Sequence, residues 1–344
     1  MSTDTIRATL EALPWPVIAI GPDERMIAAN GPAAELIGHG LVGRHFITAL
    51  RQPDLLDCIE TTLKQAKPAN GRYLTTQARR DVTFLVRSRP LLMDGGQGAL
   101  VSFEDVTPLQ QAGQMRRDFV ANVSHELRTP LTALSGFIET LRTSARDDPA
   151  ARERFLGIME RETARMGRLV RDLLSLSRVE VDERVRPVGT IKINDILKGS
   201  IQSLESLAAE RGATITFEPD ETAADIPGDG DQLAQVFVNL IENAIKYGRG
   251  QVTISVSQSE NEPSLRGPAV RIDVQDNGEG IGEEHLPRLT ERFYRVDSHR
   301  SREMGGTGLG LAIVKHIVNR HRGRLRISSE PDRGSRFSVI LPIA

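Results

Sequence analysis

Two apolar stripes of helical period, one after the other, fix what the middle of this chain can become. Phe119, Val123, Leu127, Leu131, Leu134, Ile138 and Leu141 follow one another at spacings of 4, 4, 4, 3, 4 and 3. That rhythm keeps all of them on one face of a long α-helix. Asp147-Asp148-Pro149 interrupts it, and Pro149 suits the first turn of a following helix, where no N–H is needed. Phe155, Met159, Glu162, Met166, Leu169, Leu173 and Leu176 then alternate spacings of 4 and 3. An antiparallel hairpin with one stripe per helix cannot bury both by itself. Two copies can, so residues 108–182 are expected to form half of a dimeric four-helix bundle. An intramolecular bundle would need two further helices.

The rest of the chain must supply other domains, because 344 residues exceed the roughly 100–200 typical of one. A hydrophobic content of 39% suffices for several modest cores. With 44 basic and 46 acidic residues the net charge is −2, which gives no basis for a nucleic-acid partner. The single cysteine, Cys58, excludes an internal disulfide framework and fits a reducing compartment. No apolar run approaches the roughly 18–20 residues of a membrane span. The start, Met1-Ser2-Thr3-Asp4-Thr5, has no signal-peptide pattern. The expectation is a soluble, cytoplasmic chain, associated with an inner membrane only if an anchor precedes it.

Residues 1–107 mix short apolar runs with turn residues. Val17-Ile18-Ala19-Ile20 precedes Gly21-Pro22-Asp23, and Thr83-Phe84-Leu85-Val86 is separated from Gly98-Ala99-Leu100-Val101-Ser102-Phe103 by Asp94-Gly95-Gly96, a hairpin loop. Helical stretches lie between early and late strands. This α+β pattern, closing on Asp105-Val106-Thr107, resembles a PAS sensor domain. From 183 to 344, after a charged hinge over 181–187, strands near 188–193, 213–218, 251–257, 269–275, 324–329 and 335–342 alternate with helices near 194–211, 230–247 and 308–321. That is an α/β sandwich.

Chemistry concentrates in two places. On the first long helix, His125 is followed by Glu126 and, four positions on, by Thr129. An imidazole attacks phosphorus through an unprotonated ring nitrogen, and a neighbouring carboxylate can hold the other proton. Thr129, one turn beyond, can aim a water. In the third segment, Asn239, Asn243 and Lys246 recur at i, i+4 and i+7 of a helix, a polar stripe opposite Leu233, Phe237, Leu240 and Ala244. Two amides and a lysine suit a triphosphate bridged by Mg²⁺, a hard cation that takes few protein ligands. By itself, that stripe reads equally as a solvated face.

Further motifs follow in order. Asp276-Asn277-Gly278-Glu279-Gly280 ends a strand, where a carboxylate can accept from an adenine amino group. Arg292-Phe293-Tyr294-Arg295 comes next. Gly305-Gly306-Thr307-Gly308-Leu309-Gly310 opens a helix, and its free N–H groups suit phosphate. Neither a dinucleotide G-x-G-x-x-G after a strand nor a P-loop is present.

Together with the His125 segment, these boxes resemble the sensor histidine kinases, whose ATPase fold is shared with gyrase. The likeness covers about 109–344, and the stretches 286–297 and 305–316 resemble its phosphate-regulon branch in particular. The resemblance implies a multidomain α+β kinase with PAS, helical phosphotransfer and ATP-binding domains. ATP and Mg²⁺ would be bound with Asp276 on the adenine, Tyr247 beside it, Asn243 on the metal, and Asn239 and Lys246 near the phosphates. Gly278, Gly280, Gly306, Thr307, Gly308, Leu309 and Gly310 would shape the pocket and lid, with Arg295 a lid cation. His125 would attack the γ-phosphoryl group with Glu126 as its base, then pass it to an aspartate of a response regulator; Thr129 would serve the reverse, phosphatase reaction. Pro130 would permit a bend. The partners implied are a second copy of the chain and a cognate response regulator of phosphate-starvation signalling.

Two other readings use the same fold: a signalling scaffold without catalysis, which would not need His125, Glu126 and the nucleotide boxes together, and an ATPase without phosphotransfer, which would not need the hairpin. In the sensor segment, His45 reads as a structural or surface residue, Cys58 as a small core residue, and no chromophore is expected. His39, His285, His299, His316 and His321 show no metal spacing.

Overall fold

In the computed structural model the chain divides into two compact units, residues 1–120 and 121–344. The structure describes every residue except Met1, Ser2, Ala78, Arg79, Asp94, Asp147, Arg184, residues 298–303, Gly305 and Ala344; of Thr3, Asp4, Arg116, Val181 and Asp182 it describes the backbone. Asp94 of the expected hairpin loop, Asp147 of the helix break, Arg184 of the hinge, His299 and Gly305 thus lie outside the described residues.

The first unit runs α1 (Thr3–Glu11), β1 (Val17–Ile20), β2 (Met26–Ala29), α2 (Gly31–Ile37), α3 (Phe46–Ala49), α4 (Pro53–Gln65), β3 (Ala69–Gln77), β4 (Arg80–Met93) and β5 (Gly96–Asp105). Its strands form one antiparallel sheet in the order β2-β1-β5-β4-β3. Ile18, Ile20, Val101 and Phe103 from the sheet bury against Phe46, Leu55 and Ile59 from the helices. The Asn30 side chain caps α2 by accepting from Ala33 N at 3.1 Å, and also accepts from Val17 N and donates to Trp15 O. Cys58 is buried in α4. His45 caps α3 through Ile47 N and pairs with Glu24 at 3.0 Å, so its ring has a structural use.

One helix, α5 (Thr107–Arg142), carries the chain from the first unit into the second, where α6 (Pro149–Asp182) follows. Asp148 caps α6 by accepting from Ala150 N and Ala151 N, both at 3.0 Å, with Pro149 in the first turn. The Phe137 and Phe155 rings pack at a tilt, 5.4 Å between centroids, and Glu126 pairs with Arg165 at 2.7 Å. Contacts that advance along one helix and retreat along the other make the pair antiparallel. In the single chain Leu131 and Ile138 of the α5 stripe stay 51% and 47% exposed.

The remainder consists of β6 (Thr190–Ile191), α7 (Ile193–Glu210), β7 (Thr214–Glu218), β8 (Ile226–Pro227), α8 (Gly230–Tyr247), β9 (Gln251–Glu262), β10 (Gly267–Asp276), α9 (Gly310–Arg320), β11 (Arg324–Glu330) and β12 (Gly334–Pro342). Five strands make a mixed sheet, β11-β12-β10-β9-β7, in which only β7 and β9 run parallel; β6 and β8 form a separate ribbon. Helix α8 buries Leu233, Phe237, Leu240 and Ala244. The segment read as a hinge is fastened to α9: Glu183 accepts from His316 Nδ1 at 2.9 Å and Asn319 Nδ2 at 3.3 Å, and Val185 O accepts from Arg320.

His321, fully buried, ties α9 to the start of α8. The Asp229 N–H can only donate, so His321 Nε2 accepts from it at 3.0 Å and Nδ1 carries the proton given to Ile317 O at 2.8 Å. Burial holds this imidazole below its ordinary pKa. The unfolded chain therefore binds a proton that the folded one refuses, and stability is lost as pH falls below about 6.5. The melting temperature should decline from about pH 7 to 5, and His321→Gln should flatten that decline. An equally steep fall in the variant would remove His321 from this role.

Candidate nucleotide and phosphotransfer site

The polar face of α8 opens on a cavity of about 370 Å³. Asn239, Asn243, Lys246 and Tyr247 line it from α8, Asp276 from the end of β10, and Gly280 from the loop beyond. Arg295, Gly306, Thr307, Gly308 and Gly310 line the opposite side. Gly278 and Leu309 sit behind the wall. The first donates its N–H to Asp276 Oδ1 at 2.8 Å, and the second is fully buried at the head of α9.

Two glycines are dictated by geometry. A Cβ on Gly280, at φ +72°, would lie 2.0 Å from Glu330 O; one on Gly308, at φ +74°, would lie 2.9 Å from Phe293 Cα. Phe293 itself has φ +64° and donates its N–H to Gly308 O at 2.7 Å, which binds the lid's two arms together.

Asp276 is buried, and burial raises its pKa. Both backbone donors to it, Gly278 N and Ser335 N, fall on Oδ1. Oδ2 is then the oxygen left for a donor inside the cavity. Lys246 is held by Glu242 at 2.7 Å, one turn earlier on α8. Arg295, only 7% exposed, donates to Gly306 O at 2.9 Å and lies 3.3 Å from Glu126, while its Nε is buried with no acceptor among the described residues. Tyr294, also on the wall, is fixed by His285 Nδ1 at 2.7 Å and by Arg288 over its ring.

The three candidates on α5 do not line the cavity. His125 and Thr129 are exposed, with Thr129 Oγ1 donating to His125 O at 3.3 Å. Glu126 is the one that reaches toward it, through Arg295. Sequence reasoning passed over Arg168 and Asp172 of α6, which close the cavity from the hairpin side. Asp172 accepts from Thr307 Oγ1 at 2.7 Å, and burial raises its pKa. Neither residue breaks the pattern of a polar helix edge, so only docking against the lid reveals them.

Magnesium fits the donor set in one particular way. Asn243 offers a neutral amide oxygen, and among the described residues no three His, Cys, Asp or Glu side chains gather as a metal cage. A cation at Asn243 would therefore take most of its ligands from phosphate and water.

Three known families match successive parts of the chain. Residues 228–344 match the histidine kinase-, DNA gyrase B- and HSP90-like ATPase family, residues 115–181 the His Kinase A (phospho-acceptor) domain, and residues 10–111 the PAS fold. The sensor protein kinase WalK of Staphylococcus aureus is 34% identical over 332 residues, covering 95% of this chain and 78% of the relative. This chain belongs to the sensor histidine kinase family. The phosphate regulon sensor protein PhoR of Pseudomonas aeruginosa is 41% identical over 244 residues, 71% of this chain and 54% of that one. WalK of Staphylococcus haemolyticus is 34% identical over 333 residues, 95% and 53% respectively. The chain thus spans about half the length of several curated relatives it matches. The crystal structure of the histidine kinase ThkA in complex with the response regulator TrrA shares the fold, with a TM-score of 0.53, 23% identity and 98% coverage of both chains. Among the described residues, no helix of this sensor histidine kinase is long and apolar enough to cross a membrane.

Proposed function

We propose that the chain is an ATP-dependent protein-histidine kinase that phosphorylates His125 and passes the phosphoryl group to an aspartate of a response regulator. The carrying observation is the chain of contacts from the cavity through Arg295 to Glu126, next to His125. ATP would sit with its adenine amino group on Asp276 and its ring beside Tyr247. Its phosphates would run toward Asn239, Lys246 and the lid N–H groups of Gly306 to Gly310. Mg²⁺ on Asn243 would neutralise phosphate charge. Phosphoryl transfer needs mainly positioning and charge balance, which Arg295 and Lys246 supply once released from Glu126 and Glu242. His125 would attack the γ-phosphorus through one ring nitrogen, the bond to the bridging oxygen would break to release ADP, and Glu126 would take the proton of the other nitrogen.

The domain reading that goes with this function is a sensor over 1–107, a phosphotransfer hairpin over 108–182 and a catalytic domain over 183–344. The half-exposed Leu131 and Ile138 support burial of the hairpin stripe in a homodimer. For the stimulus we propose phosphate-starvation signalling, supported by the likeness to PhoR. WalK of Staphylococcus epidermidis, 41% identical over 246 residues, favours a different stimulus as the second reading.

One transfer assay tests both layers. The labelled chain should pass its phosphate to a phosphate-starvation regulator within seconds and to an unrelated regulator far more slowly; equal rates would remove the phosphate reading. In the same assay Thr129→Ala should transfer normally but let the labelled regulator persist. Loss of both activities together would make Thr129 merely structural.

A further inference from the structure

Two arginines converge on one carboxylate oxygen at the phospho-acceptor's neighbour. Arg165 Nη2 lies 2.7 Å from Glu126 Oε2, and Arg295 Nη2 lies 3.3 Å from the same atom. All three side chains are mostly withdrawn from solvent, at 15%, 14% and 7% exposure for Arg165, Glu126 and Arg295. Glu162, one turn before Arg165 on α6, sits 3.6 Å from the Arg165 guanidinium and helps to aim it.

The two arginines differ in what carries them. Arg295 lines the cavity, where a bound triphosphate would compete with Glu126 for its guanidinium. Arg165 stands on α6, opposite Glu126 in the antiparallel pair that also sets Phe137 against Phe155. Its distance to Glu126 is set between the two helices of the hairpin. When Arg295 turns to a triphosphate, Glu126 would otherwise be left as a partly buried carboxylate without its cation, at a cost that would favour its turning out to solvent.

We infer that Arg165 is a positioning residue for phosphoryl transfer: it anchors Glu126 Oε2 from the opposite helix and thereby keeps the carboxylate proposed to serve His125 in place when Arg295 turns to nucleotide. This deepens the kinase reading and rests on it. Arg165 touches neither nucleotide nor His125 in this role; it acts through Glu126. The Arg165–Glu126 pair could serve either of two functions. As a simple interhelical clamp, Arg165 would contribute to stability only, and its loss would lower the yield of folded protein without changing the rate per folded site. As a positioning group, it changes the rate of transfer at saturating ATP.

The test is initial-rate labelling of the full chain by γ-labelled ATP, with active sites counted by nucleotide binding. Arg165→Gln should lower kcat by about tenfold or more, the scale of a misaligned base, while KM for ATP stays within about twofold, because the nucleotide contacts are untouched. Arg165→Lys should recover most of the lost rate, since an ammonium can reach the same oxygen. In a Glu126→Gln background, Arg165→Gln should cost little more, because both changes remove one interaction. Three results would overturn the inference: an unchanged kcat in Arg165→Gln, a loss that Lys does not rescue, or fully multiplicative losses in the double variant. A wild-type chain that never acquires label on His125 would instead overturn the kinase reading, and this inference with it.

Discussion

His125→Ala is expected to abolish incorporation of label from γ-labelled ATP, with nucleotide affinity within about twofold of the parent chain. The side chain is exposed on α5 and does not line the cavity, so its removal takes away the acceptor without disturbing the donor site. The bond expected in the parent chain is a phosphoramidate, so the label should be acid-labile and base-stable. Loss of a nucleophile leaves no alternative route, since positioning and charge neutralisation by the rest of the site act on an attack that no longer occurs. Retained label in the variant would place the acceptor elsewhere. Label that survives acid would show a different phosphorylated group altogether.

The second large effect concerns the metal. Asn243→Ala should weaken ATP binding in magnesium by roughly 10- to 100-fold, the usual scale for disturbing a metal's surroundings. Binding of the nucleotide in the presence of a chelator should change far less. The contrast follows from the proposed donor set: with no gathered cage of acidic or imidazole ligands among the described residues, Asn243 would be the protein's principal hold on a cation otherwise bound by phosphate and water. Titration of a fluorescent ATP analogue, with and without magnesium, measures this directly. Equal affinity of variant and parent in magnesium would refute the assignment.

Elements with strong periodicity are legible in the sequence itself. The α6 start at Pro149, the buried face of α8, and strands β1 and β12 follow from apolar spacing and a proline. Strands β3 and β8 are not legible there, for physical reasons. β3 pairs only with β4 and lies at the sheet edge, and its sequence, Ala69-Asn70-Gly71-Arg72-Tyr73-Leu74-Thr75-Thr76-Gln77, carries no apolar run because neither face is fully buried. β8 spans just Ile226–Pro227, too short for any period to register. The charged stretch after α6 reads as a hinge because its composition is that of a linker. Its fastening to His316, Asn319 and Arg320 comes from residues more than a hundred positions away.

In the candidate site, the residues carried on motifs are visible because each motif is local: one helix face, one strand end, one glycine-rich turn. Glycine at 280 and 308 is required by positive φ and by backbone within a Cβ's reach, and such constraints leave a mark in sequence. Sequence alone therefore determined the family, the order of its parts and the place of His125 on a long helix, since these depend on short-range spacing. Tertiary structure alone decided that Asp172 meets Thr307, that Arg295 reaches Glu126, and that Arg165 holds the same oxygen from the neighbouring helix. Those contacts join charged side chains on surfaces that read as ordinary solvated faces, and packing of one element on another selects which of many such charges come together.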